Sequence, residues 1–183
     1  NLGAVSGPIS FTGGTLETTA TITSSRNITL NNPGGTFQVD TEGNITTLSG
    51  TITGGGSLMK TGAGALALTA NNTYSGGTFI NEGALSIDSD NNLGTNDASF
   101  NVIFDGGTLE VTAETTSVRN MSLNTMGGIF QIDGDETILL HAGLIDGPGS
   151  LTMTGSGTLE LVGNYTYSGG TFVNGGSLEV VSL

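Results

Sequence analysis

The sequence has no cysteine, no tryptophan and only three basic residues, Arg26, Lys60 and Arg119, in 183 positions. Without cysteine the fold cannot lean on disulfides, and thiolate metal sites are excluded. So few cations leave no surface able to neutralise phosphates, which argues against nucleic acid and against anionic membrane surfaces. Asp and Glu number 16, the formal net charge is -13, and the plain reading of that acidity is solubility. His141 is the one histidine, so neither a zinc site nor a nucleophile–histidine pair is credible. No apolar run approaches the roughly 18 residues of a membrane span, so no membrane insertion by this segment is expected. No charged region followed by an apolar stretch opens the chain, as expected of a mature or excised segment. No stretch holds a 3.6-residue apolar period long enough for a helix.

What the sequence has in abundance is glycine, 32 residues, much of it in a recurring four-residue word. Gly13-Gly14-Thr15-Leu16 returns as Gly34 to Phe37, Gly55 to Leu58 and Gly76 to Phe79, each 21 residues on. It returns again at Gly106 to Leu109, Gly127 to Phe130, Pro148 to Leu151 and Gly169 to Phe172. A fixed period near 20 is the mark of a solenoid. The fourth position reads Leu16, Phe37, Leu58, Phe79, Leu109, Phe130, Leu151, Phe172. Stacked one above another, these residues are expected to form the core column, with the preceding Thr/Ser column facing out. A coil this short has no room for a crossover helix, so each strand must pair with its counterpart one coil on. The expected fold is all-β: a right-handed parallel β-helix (solenoid) of about eight coils of ~21 residues.

One step is irregular: Gly76 to Gly106 is 30 residues, one period plus nine. Beyond it the sequence starts again. Asn92-Leu93-Gly94 echoes Asn1-Leu2-Gly3, and Ile9 to Asp90 aligns with Val102 to Leu183 at a constant offset of 93. The expected organisation is two tandem four-coil units, 1–91 and 92–183, in one continuous solenoid. The nine extra residues fall within Asp88 to Asp105. With Asp88, Asp90, Asn91, Asn92, Asn96 and Asp97 among them, they read as a contact loop standing off the rod.

The stretch Gly56 to Thr69, with Asn72-Thr73-Tyr74-Ser75-Gly76-Gly77-Thr78 and Gly83-Ala84-Leu85, resembles the autotransporter-associated β-strand repeat (passenger-associated transport repeat) family. Arg26-Asn27-Ile28-Thr29-Leu30 resembles the upstream part of that pattern, and Met153 departs from it where the first half has Lys60. The resemblance implies right-handed parallel β-helical passengers of secreted or surface proteins of Gram-negative-type bacteria, serving as stalks, adhesin scaffolds or aids to secretion. It implies no catalytic residue.

Candidate sites are sparse. Asp133, Asp135 and Glu136 form the densest acidic group and are weak candidates for a metal such as Ca²⁺, though a solvated turn explains them as well. Glu17 and Glu110 recur at equivalent places, which is unlike an active site. Arg26 and Arg119 suit a structural salt bridge or hydrogen bonds to turn carbonyls. Tyr74 and Tyr167 are expected at coil corners with wet hydroxyls, and Asn81 and Asn174 as inward asparagines satisfying turn backbone. No cofactor is expected. The reading is a structural rod segment of a bacterial cell-surface or extracellular fibrous protein. Its expected partners are itself or further repeats stacked head to tail. Second comes an adhesin module binding a glycan or protein, as on a host or neighbouring cell surface, through the 88–105 loop, and third a polysaccharide-active β-helix enzyme.

Overall fold

Short runs of alternating or β-branched residues, ended by Gly, Asn or Asp, become strands, and the chain winds them into stacked coils. The computed structural model describes residues 7–95, 102–135, 137–163 and 165–181. The first coil is β1 (Ile9–Phe11), β2 (Gly14–Thr18) and β3 (Ile22–Ser24); the second is β4 (Ile28–Leu30), β5 (Gly34–Val39) and β6 (Ile45–Leu48). The third is β7 (Ile52–Thr53), β8 (Ser57–Thr61) and β9 (Ala65–Leu68). The fourth has only β10 (Thr78–Ile80) and β11 (Ala84–Ile87). A short 3-10 helix (Asp90–Leu93) then leads to β12 (Val102–Phe104) and β13 (Thr108–Val111). Next come β14 (Thr115–Ser117), β15 (Met121–Leu123), β16 (Gly128–Ile132), β17 (Ile138–His141), β18 (Ile145–Asp146) and β19 (Leu151–Gly155). The chain ends on β20 (Thr158–Val162), β21 (Thr171–Val173) and β22 (Ser177–Val181).

Every pairing is parallel, and each strand stacks on its neighbours one coil away. The fold is an all-β parallel solenoid of about eight coils with three faces. One face is β2-β5-β8-β10-β12-β15-β18 and another is β3-β6-β9-β11-β13-β16-β19-β21. The third begins as β1-β4-β7 and ends as β14-β17-β20-β22. Between those blocks it is filled by non-strand chain. Thr73 and Ser75 amides donate to the Ile52 and Gly54 carbonyls, and the Thr95 amide donates to the Tyr74 carbonyl.

The single stacked Leu/Phe column does not form, and parity explains why. Leu16 pairs with Phe37, but the next coil step is longer, so Phe37 pairs with Lys60 and Leu58 with Gly35. Leu58 has slipped by two residues, an even number, and stays inside. The coil after that is shorter, pairing Ile80 with Lys60 and Phe79 with Met59. Phe79 is displaced by one residue, an odd number, so it faces outward, half-buried beside Met59 and Ile103, while Thr78 points in. The second half behaves alike. Leu109 and Phe130 pair inside, Leu151 is buried opposite Gly128, and Phe172 lies opposite Thr152, 53% exposed. Of the eight positions, Phe37, Leu58, Leu109, Phe130 and Leu151 are buried core, Leu16 is half-buried against it, and Phe79 and Phe172 are not core.

The uninterrupted inner columns use other residues. Leu66, Leu85, Leu109, Phe130 and Met153 stack on one face; Phe37, Lys60, Ile80, Phe104 and Leu123 stack on the next. Glycine makes room where an aromatic ring crosses the core. A Cβ on Gly35 would meet the ring of Phe11, and one on Gly128 that of Phe104, at 2.7 and 2.6 Å. Those rings lean on Phe37 and Phe130, with centroids 5.1 Å apart in each pair. At Gly54 and Gly147, φ is 110° and 109°, and a side chain would also run into the Leu30 and Leu123 carbonyls of the coil below.

Leu58→Ala is expected to cost about 2–5 kcal/mol, as for a buried leucine. Phe79→Ala, the residue at the same place in the repeated word, should cost about 1 kcal/mol or less. Urea denaturation of the two variants measures the difference; equal losses would put Phe79 in the core.

Candidate functional site

The most elaborate polar cluster lies where the nine extra residues enter. Ser89 opens the 3-10 helix, its hydroxyl accepting from the Asn91 amide, while Asn92 Oδ1 accepts from the Asp88 and Ser89 amides at 3.0 and 2.9 Å. Asn92 Nδ2 donates to the Ala70 carbonyl one coil down. Beside it, Asn72 is buried, takes the Ile52 amide on Oδ1 at 2.8 Å and donates to the Asn92 carbonyl at 2.6 Å. These two amides replace the strand ladder that the third face lacks here, satisfying backbone groups that burial would otherwise orphan.

Arg119 closes over this strap. Its side chain is 1% exposed and its Nε lies 3.0 Å from each Asp90 carboxylate oxygen. Nη1 donates to the Leu93 and Thr95 carbonyls and Nη2 to those of Asp90 and Gly94. Two buried opposite charges with every guanidinium nitrogen engaged hold together where either alone would be costly. The 88–105 segment therefore is not, through Thr95, a loop standing off the rod. Asp90, Asn92 and Leu93 are buried in it, and Asp88 and Asn91 are its exposed members. Asn96 and Asp97 lie outside the described residues.

His141 sits above Arg119, buried in a core column between Ser117 and Leu161. Its Nε2 is 3.0 Å from the Arg119 carbonyl, so Nε2 carries the hydrogen; Nδ1 is buried without a partner. Burial depresses its pKa from 6.5 to about 4, against the pull of the Arg119 carbonyl and Asp90. Tyr165 donates its hydroxyl to the His141 carbonyl. With its free nitrogen enclosed, His141 cannot serve a substrate.

Tyr74 also enters the core rather than keeping a wet hydroxyl. It is 1% exposed and shares a 2.7 Å hydrogen bond with Thr78, the threonine that parity turned inward. Tyr167 repeats the bond to Thr171 while half-buried. Lys60 is likewise buried, its ammonium donating to the Thr61, Gly62 and Glu82 carbonyls at a turn; burial lowers its pKa to about 8, opposed by Glu82. Sequence reasoning noticed Lys60 only as a motif position. Asn81 and Asn174 are half-buried and exposed; the inward asparagines are Asn72 and Asn92. Arg26 is half-buried and donates to the Gly7 and Pro8 carbonyls.

The acidic candidates resolve into two matched ladders on the outer surface. Gln38, opposite Glu17, donates to Asp40, and a hydrogen bond shared with Asp40 raises the Glu17 pKa. Gln131, opposite Glu110, donates to Glu110 and Asp133, and burial with the neighbouring Asp133 raises the Glu110 pKa. Asp133 is thus committed to this ladder, Asp135 is exposed beyond it, and Glu136 lies outside the described residues. Among the described residues no three His, Cys, Asp or Glu side chains gather as a metal site.

The tyrosine motif lies inside a recognised repeat, whereas the strap at 88–95 and the two ladders lie outside it. Residues 58–87 and 151–180 match the family model described as the passenger-associated-transport-repeat. The chain carries two passenger-associated transport repeats. Each repeat spans the strands from β8 to β11 or from β19 to β22, and so includes the tyrosine–threonine bond. The chain is similar to "Adhesin BmaC autotransporter" of Brucella suis biovar 1 (strain 1330), 39% identical over 137 residues, 74% of this chain. It is also similar to "Extracellular serine protease" of Serratia marcescens, 58% identical over 40 residues, 22% of this chain. The chain spans only 4% of the length of each relative. No solved structure matches it.

Two measurements check this network. Asp90→Ala leaves Arg119 buried without its counter-charge and is expected to cost about 3–5 kcal/mol in chemical denaturation. For His141, the folded pKa lies below the unfolded one, so the unfolded chain binds more protons between pH 6.5 and 4. Stability is expected to fall as pH drops through that window, by up to about 3 kcal/mol from this group. His141→Leu, matching Leu48 at the equivalent place, should flatten that part of the pH profile; an unchanged slope would show that His141 does not cause it.

Proposed function

We propose that this chain is a rod segment of a Gram-negative bacterial cell-surface or extracellular protein, working through length and stiffness rather than through a reaction centre. The observation that carries the reading is the parallel ladder that continues from coil to coil on two faces. Two faces run through nearly every coil, and where the third loses its strands, buried Asn72, Asn92 and Arg119 take over their hydrogen bonds. The polar groups that look like a site in the sequence are spent on holding coils together. The partners of such a segment are further coils of the same kind, stacked at its ends through strand edges. The small share of each relative that the chain covers fits one segment of a far longer array.

An adhesive role is the second reading, favoured by the relative named an adhesin. Its contact surface would be the outer faces of the sheets, since the 88–95 segment is largely buried. Enzymatic action comes third and has no supporting constellation among the described residues.

Electron microscopy of chains carrying one, two and three copies of this sequence tests the rod. Unbranched particles lengthening by roughly 40 Å per copy are expected, from about 4.8 Å per coil. Globular particles of constant length would refute it. Saturable binding of the single chain to glycans or cells would shift weight to the adhesin reading.

A further inference from the structure

We infer that the Asp88–Thr95 strap is an indexing element, which turns each repeat unit by one face of the solenoid relative to the unit before it. The strand spans recur at an offset of 93, but never on the same face. Ile9–Phe11 lies on the third face and its counterpart Val102–Phe104 on the first. Gly14–Thr18 lies on the first and Thr108–Val111 on the second. Ile22–Ser24 lies on the second, and Thr115–Ser117 joins the later block that continues the third. Every other pair of counterparts from β4 and β15 to β11 and β22 moves in the same sense.

The cause is countable on the backbone. From β1 to β11 the chain lays down four full coils, the segment around Thr73 to Ser75 standing in for a strand on the third face. Four coils alone would return β12 to the third face, directly above β1. The strap occupies that place instead, its Thr95 amide on the Tyr74 carbonyl, and β12 is pushed on to the first face. Arg119 locks the arrangement from the coil above, bonding Asp90 and the Leu93, Gly94 and Thr95 backbone.

The consequence concerns what the rod shows. The Glu17–Gln38–Asp40 ladder and its copy Glu110–Gln131–Asp133 stand on neighbouring faces rather than in line. In a longer array, which rests on the rod reading above, three units bring a surface back to its starting face. Any contact surface on the unit is then presented on all sides of the rod.

The chain has no cysteine, so two spin labels can be placed cleanly at exposed, equivalent turn positions, Glu42→Cys and Asp135→Cys. Four coils of rise and one face of sideways travel predict a separation of roughly 25 Å. Deleting the nine residues 89–97 should bring the labels into line and shorten it to roughly 19 Å. A wild-type distance near the shorter value, or a deletion variant that keeps the longer one, overturns the proposal. Should the deletion variant not fold, Asp90→Asn with Arg119→Met decides. A distance distribution broader than wild type supports the lock, and one equally narrow overturns it. The labels read a single chain, so this outcome is separate from whether the parent protein is a rod.

Discussion

In a parallel solenoid every strand is obliged to match the strand one coil away, because its backbone groups have no other partners within the rod. That obligation sets the facing of every side chain. A coil longer by two residues leaves the inside–outside pattern intact, whereas a change of one reverses it. Thr78 and Phe79 show how much hangs on this. A single residue of slip hands the inward place to a threonine and the outward place to a phenylalanine. The structure keeps the exchange tolerable because Tyr74, from the same coil, reaches the buried hydroxyl.

The same obligation explains what could be read in advance. Solenoid class, strand positions and the 93-residue recurrence rest on glycine and apolar spacing, which local chemistry fixes. Register does not rest on spacing alone. The repeated word keeps a step of 21 while the coils themselves lengthen and shorten at their turns, so Leu16 and Phe37 stack as the period suggests and Phe79 does not. The strap was visible as nine extra residues, but Asp and Asn read locally as solvated turn. Their burial depends on Arg119, 29 residues beyond Asp90, and no local pattern announces a partner at that distance. Lys60 was hidden similarly, because an ammonium in a core column is stabilised by carbonyls of two successive coils. The echo of Arg26 in Arg119 was the legible clue to the lock, since a cation repeated in so acidic a chain needs a reason.

Among the buried polar groups, Asn72, Asn92 and Arg119 stand where the ladder is interrupted, whereas Lys60, Thr78 and His141 sit within paired strands. Asn72 and Asn92 serve the strandless part of the third face, Arg119 the strap's carbonyls, and Lys60 a turn between coils. None converges on an open cleft. That distribution is the physical ground for reading the chain as a scaffold, because chemistry needs polar groups with capacity left over for a substrate.

The placement of the cations has a further effect on the exterior. Lys60 and Arg119 are interior and Arg26 is half-buried against backbone carbonyls, so no fully exposed lysine or arginine remains to offset the acidic surface. Rods of one sign repel side by side over about a Debye length, roughly 8–10 Å at ordinary salt. End-on contact, by contrast, gains backbone hydrogen bonds and core burial that salt screens little. In the rod proposed above, this charge pattern would favour axial continuation over lateral bundling and disfavour anionic partners. Turning each unit by one face spreads the acidic ladders around the circumference, so no side of a long array offers a neighbouring rod an uncharged approach.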